Sequence, residues 1–153
     1  MKKKVFNLFL MSFVLIILTG CSSKKAITTD KFIESAKNSG FETYDVTTQF
    51  KDTPSIDKAT VAKKADKYQI EFYILKDSDA ATLMFNQNKV TFETYKGLTS
   101  TESKVNLKKY TKYSLTSNGY YMDLSRIDNT LLYVRVEDKY KNEVKKFIKE
   151  IGY

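Results

Sequence analysis

Chemistry in this chain has to be built from carboxylates, hydroxyls and amines. The 153 residues contain no histidine and a single cysteine, Cys21. That excludes a histidine-assisted serine or cysteine nucleophile, a Cys/His zinc site and dithiol redox chemistry. Glu71, Glu93, Asp123 and Asp128 are the acids placed to serve as a hydrolytic pair. Such a pair works only when two carboxyl groups face each other across a cleft at roughly 5–10 Å, a distance sequence spacing does not set. Asp77-Ser78-Asp79 has the D-x-D form of a calcium loop but lacks the glycine and distal glutamate of one, so it reads as a helix cap. Ser55-Ile56-Asp57-Lys58 has the S-x-x-K form of serine β-lactamases, but the S-D-N and K-T-G companions are missing and Ser22 to Lys25 repeats the pattern by chance.

The lone cysteine has a different explanation. Lys2, Lys3 and Lys4 precede an apolar run over residues 5–18, broken only by Asn7 and Ser12. The run is short of the roughly 20 residues that span a bilayer, and its basic-then-apolar layout is that of a secretory signal. It ends in Leu18-Thr19-Gly20-Cys21, which resembles the lipobox of bacterial lipoproteins. The resemblance implies that residues 1–20 are a cleaved signal peptide, that the Cys21 thiol carries a diacylglyceryl group, and that Cys21 begins the mature chain. Two acyl chains anchor stably where one holds only marginally. Residues 21–29 then form the lipidated cysteine and a polar tether, whose eight residues 22–29 reach at most about 26–29 Å. The mature part resembles small Gram-positive lipoproteins, a resemblance that brings no active site with it. A chain rich in Lys, Asn, Ile and Tyr and poor in Arg and Pro fits an AT-rich Gram-positive host, so the expected location is the extracytoplasmic side of the cell membrane.

The net charge is +8, of which the three leading lysines supply part, leaving +5 beyond residue 20. Arg126 and Arg135 are the only arginines. Lysine is a hydrated point charge, whereas bidentate reading of phosphates and bases falls to arginine, so no nucleic-acid partner is expected. The lysine excess reads as solvated surface, with attraction to an anionic envelope polymer or lipid headgroup as the sharper alternative. No cofactor is expected.

The elements that must position these groups form one domain over residues 30–153. A helix is expected at "TTDKFIESAKNSG", capped by Thr29 or Asp30 and closed by Gly40. A strand at 41–46 follows, then a loop around Pro54 and a hairpin turning near Ala65-Asp66. Tyr68, Ile70, Phe72 and Ile74 alternate with Gln69, Glu71, Tyr73 and Leu75, the period of a sheet with one buried face. A long helix capped at Asp77 or Ser78 carries Ala81, Met84, Phe85, Asn88, Phe92 and Tyr95 on one stripe and stops at Gly97. Residues 98–103 read as a loop, followed by strands near 105–117, 120–127 and 130–137 joined by turns at Asn118-Gly119 and Asp128-Asn129. A last helix is capped by Asp138 and buries Tyr140, Val144, Phe147, Ile148 and Ile151. The fold class is α+β, an antiparallel sheet with packed helices in the order α-βββ-α-βββ-α, which hints at a duplicated α-βββ unit.

A two-residue turn at Asp128-Asn129 sets Ile127 opposite Thr130 and Asp123 opposite Val134. One face of that hairpin carries Tyr121, Ile127, Leu132, Val134 and Val136, and the other carries Met122, Leu124, Arg126, Leu131, Tyr133 and Arg135. Two outcomes are open for the second face. It is the candidate contact surface, with Arg126, Arg135, Tyr133, Leu124 and Met122 as its members, or it packs beneath a helix with its arginines in structural contacts. The expected function is a non-enzymatic, lipid-anchored binding or interaction module for an envelope polymer, a peptide or a membrane protein, the alternative being a small carboxylate-dependent envelope hydrolase. Cys21→Ala is expected to abolish lipidation and membrane retention while leaving the domain folded. Metabolic fatty-acid labelling with cell fractionation checks this, and label on the alanine variant would refute it.

Overall fold

Strand pairing is governed by tight turns that need left-handed backbone. Ala65, Asn118 and Asp128 adopt φ of 47°, 51° and 49°, and Gly119 follows Asn118 at 80°. Asparagine, aspartate and glycine accept that region at least cost, and two-residue turns built on it match the twist of adjoining strands. The computed structural model describes residues 24–153. Helix α1 (Thr29–Asn38) leads to β1 (Glu42–Asp45), a 3-10 turn (Thr47–Phe50), β2 (Ile56–Lys64) and β3 (Tyr68–Leu75). Helix α2 (Ser78–Glu93) follows, then β4 (Thr101–Asn106), β5 (Tyr110–Ser117), β6 (Tyr120–Ile127), β7 (Thr130–Glu137), a 3-10 turn (Asp138–Tyr140) and α3 (Lys141–Glu150).

The seven strands make one antiparallel sheet in the order β1-β2-β3-β7-β6-β5-β4. Helices α1 and α3 cover one face, where Phe32, Val144, Phe147 and Ile148 bury Ile70, Phe72, Leu132 and Val134. Helix α2 covers the other, where Ala81, Phe85 and Phe92 pack with Tyr73, Leu75, Met122, Leu124 and Leu131. The domain is α+β with both sheet faces covered at its centre.

Several expectations need correction. Residues 101–106 are a strand, so the order is α-βββ-α-ββββ-α and no longer two equal units. Strand β4 escapes a hydrophobic pattern because it is an edge strand with almost every side chain in water. Strand β3 has two buried faces, since α2 covers Tyr73 and Leu75. Thr28 caps α1, its hydroxyl accepting from the Lys31 amide at 3.2 Å. Asp138 opens a 3-10 turn, and α3 begins three residues later without a side-chain cap. Helix α2 stops at Glu93, ahead of Gly97. Gly97 instead permits close approach, because a β-carbon there would lie 2.7 Å from Asn118 Oδ1.

The tether is also shorter than its sequence suggests. Ala26 and Ile27 pack against the α1/α3 core, and Lys24 Nζ donates to the Gly152 carbonyl at 2.8 Å. The signal peptide and lipobox, Cys21 included, lie outside the described residues, and among the described residues no helix is long and apolar enough to cross a membrane.

Phe72 stacks on Phe32 with centroids 4.8 Å apart and meets Tyr153 edge-on at 6.2 Å. Truncating it opens a cavity in the middle of the sheet, so Phe72→Ala is expected to cost about 3–5 kcal/mol. Tyr44→Ala, at the exposed edge strand β1, is expected to cost no more than about 0.5 kcal/mol. Urea denaturation of both variants checks the contrast.

Candidate functional site

Helix α2 is fixed at its start by Asp77, whose carboxylate accepts from the Ala80 amide at 2.7 Å. Its apolar stripe presses on the sheet, and the flank bearing Thr82, Asn86 and Lys89 looks toward the β4–β5 hairpin. Between that flank and the hairpin lies a cleft of about 660 Å3. Lys89, Lys104, Lys108, Lys112 and Arg126 line it, together with Thr82, Asn86, Asn106, Thr111 and the rings of Phe85 and Tyr113, and no lining residue is acidic.

The cations are not equivalent. Lys89 pairs with Glu93 at 3.3 Å and Lys104 with Glu102, whereas Lys112 sends its ammonium to the other face of the sheet, where it pairs with Asp123 at 3.1 Å. Among the described residues no carboxylate pairs with Lys108 or Arg126. Arg126 is only 4% exposed. Its Nη1 donates to Asp128 O at 3.0 Å and Ser78 Oγ at 3.3 Å, and its Nη2 donates to Thr111 Oγ1 at 3.1 Å and Lys108 O at 3.3 Å. Four neutral acceptors satisfy the terminal N–H groups but leave the charge uncompensated. A buried cation without a counter-charge carries a heavy desolvation penalty that an incoming anion relieves. Arg126 therefore lends the cleft its field, while Lys108, Thr111, Asn86 and Asn106 supply donors.

The perimeter is braced by Glu102, which takes Lys96, Lys104 and the Tyr113 hydroxyl. Hydrogen bonds from Lys104 and then Lys96 hold its carboxyl down to about 2. Because the folded value lies below the ordinary one, this brace is complete above pH 4.5 and is lost as pH falls toward 2.

The expected contact surface is not a surface. Met122 and Leu124 are fully buried beneath α2, and Tyr133 is half-buried with its ring 5.1 Å from that of Phe92. Arg126 is the buried floor of the cleft. Arg135 alone reaches solvent, its guanidinium sandwiched 4.5 Å from the Tyr95 ring and 4.8 Å from the Tyr120 ring. The physical reason is that α2 needs an apolar bed, and the outward face of this hairpin provides it. Both arginines make the planar contacts that lysine cannot, to carbonyls and rings inside the fold.

Each of the four carboxylates is engaged by its own partners. Asp123 is fully buried on the α1/α3 face, accepting from Tyr121 Oη at 2.8 Å, Ser125 Oγ at 2.7 Å and Lys112. Burial of the Tyr121 hydroxyl, and then the charge of Asp123 beside it, push that hydroxyl upward. Glu71 takes the Tyr73 hydroxyl and Gln69 on β3, Glu93 takes Lys89 and Lys96, and Asp128 sits in the β6–β7 turn beside Lys109. None of these contacts joins two of the four.

No protein-family model and no curated protein matches the chain. Among solved structures, a GTP binding regulator from Thermotoga maritima is 17% identical, with 82% of this chain and 85% of that chain covered at a TM-score of 0.48. A likeness at that level bears on neither ligand nor activity.

The cleft lysines look like ordinary surface in the sequence because one helix, one strand and a turn contribute them without any common period. The one signal was the rarity of arginine, and it pointed to Arg126 for a packing role as much as for a binding one. Arg126→Lys, whose single ammonium cannot reach all four acceptors as the planar fork does, is expected to cost about 1–3 kcal/mol. Arg135→Lys, which weakens two stacked contacts at the surface, is expected to cost about 0.5–1 kcal/mol. Equilibrium unfolding of the two variants checks both the sizes and their order.

Proposed function

We propose that the protein is a lipid-anchored binding module on the extracytoplasmic side of a Gram-positive cell membrane, taking an anionic group in the cleft between α2 and the β4–β5 hairpin. The observation that carries the binding is the set of four cations, Lys89, Lys104, Lys108 and Arg126, around a concave, acid-free lining, with Arg126 buried at its base without a carboxylate partner. Phosphate or carboxylate is the chemistry such a lining recognises, through charge-assisted hydrogen bonds from ammonium, hydroxyl and amide donors. The Phe85 and Tyr113 rings give the walls an apolar portion, which suits an anion borne on a larger organic body. The anchor rests on the lipobox at Leu18 to Cys21.

Titration with inorganic phosphate, followed by amide chemical shifts, tests the cleft. Saturable shifts are expected at Asn86, Lys108 and Thr111, weakening as salt rises, and Lys108→Glu is expected to lower the affinity at least tenfold. The absence of saturable shifts at these residues would refute the reading.

A further inference from the structure

The tether and the cleft meet at one end of the sheet. Lys24 lies with its ammonium 4.7 Å from the centroid of the Tyr110 ring and bonds Gly152, so the chain enters the fold beside the start of β5. From Cys21 to Lys24 there are three peptide steps, which span at most about 11 Å. A lipidated Cys21 thus holds this end of the domain against the headgroup layer.

The same end carries an exposed leucine that packing does not explain. Leu107 is 61% exposed at the tip of the β4–β5 turn. The turn is not loose. Leu107 and Tyr110 exchange backbone hydrogen bonds at 2.8 and 3.2 Å, Arg126 holds the Lys108 carbonyl, and the Asp128 amide donates to the Lys109 carbonyl at 2.9 Å. A rigid turn therefore holds an apolar side chain out, with Lys108 and Lys109 next to it, Lys24 over the Tyr110 ring and Lys25 following in the chain. The acids at this corner are Asp128, 3.8 Å from Lys109, and the buried Asp123, which Lys112 pairs at 3.1 Å. An exposed aliphatic group flanked by lysines, at the end of the sheet where Lys24 lies three peptide steps from the proposed anchor, matches the apolar core and anionic surface of a bilayer in both chemistry and position.

We propose that the β4–β5 turn is a membrane-docking tip. Resting on the lipid anchor of the preceding section, Leu107 enters the boundary between headgroups and acyl chains, and Lys24, Lys25, Lys108 and Lys109 contact anionic headgroups. The sheet then stands on its end, with the α2–β4 connection and its exposed Leu98 on the side away from the bilayer.

The chain contains no tryptophan, so an introduced indole reports alone. The full chain, lipidated in its host, is reconstituted into vesicles of phosphatidylcholine with phosphatidylglycerol at about 7:3, and parallel vesicles contain an acyl-brominated phosphatidylcholine. Density flotation reads the anchor and indole quenching reads the docking. Leu107→Trp is expected to be quenched by brominated lipid several-fold more than Leu98→Trp, and less strongly in vesicles lacking phosphatidylglycerol. In the unsubstituted chain, amides 106–110 are expected to exchange hydrogen more slowly on anionic than on zwitterionic vesicles, a readout that needs no variant to fold. A chain that floats while both indoles are quenched alike, or while exchange at 106–110 is indifferent to lipid charge, overturns the docking tip and leaves the anchor standing. A chain that does not float overturns the anchor, and the docking tip with it.

Discussion

Six strand pairings build the sheet, and five of them join neighbours in sequence through the connections between them. The exception is β3 with β7, where Ile70 meets Val134, Phe72 meets Leu132 and Tyr73 meets Leu131. That ladder unites the β1–β3 meander with the β4–β7 meander across some sixty residues of intervening chain. Its backbone hydrogen bonds alone would not offset the entropy of closing so long a loop. What secures it is burial on both faces, by Phe32, Phe147 and Tyr153 above and by the α2 stripe below. The helices are thus clamps on one seam, and α2 is also the connection that carries the chain from one meander to the other. Its position is therefore doubly determined, and so is the wall it contributes to the cleft.

Arg126 is the second junction. Its guanidinium ties the β4–β5 turn, the β6–β7 turn, strand β5 and the start of α2 into one corner. The same burial that makes those bonds effective keeps water from screening the charge. Stability and ligand field are consequently properties of one side chain. A substitution cannot remove the field without loosening the corner, which is why the lysine at position 108 is the better handle on the proposed binding.

The pattern of turns was legible because its chemistry is local. Asn118-Gly119 and Asp128-Asn129 announce left-handed backbone whatever surrounds them, and the hairpin register that follows from the second agrees pair for pair with the sheet. The helices were legible from their apolar stripes, with errors of a residue or a few at caps and ends, where competing hydroxyls such as Thr28 and Thr29 are chemically alike. Strand β4 was not, since "TESKVN" is polar throughout and its pairing partner supplies the hydrophobic side chains. The buried fate of Met122, Leu124 and Arg126 was one of two readings that the sequence left open, because alternation says which residues share a face and not what covers it. The cleft was illegible for a plainer reason. Its lysines converge only after the β4–β5 hairpin folds back alongside α2, and nothing in their spacing encodes that meeting.

The contact between Lys24 and the Gly152 carbonyl puts the two ends of the described fold at one corner. Ends that meet can be joined by a short linker without disturbing what lies between them, and new ends can be opened wherever the backbone is exposed and turns freely. The Asn118-Gly119 turn, at the opposite end of β5 and β6, has open space around Gly119, and cutting it would give up the Asn118 bond to the Tyr95 carbonyl and the Asp138 bond to the Gly119 carbonyl. A circular permutant cut there would keep every strand pairing yet, on the anchor proposed above, would hang inverted, with the cleft turned outward. The architecture thus separates how the domain is folded from which way up it is worn.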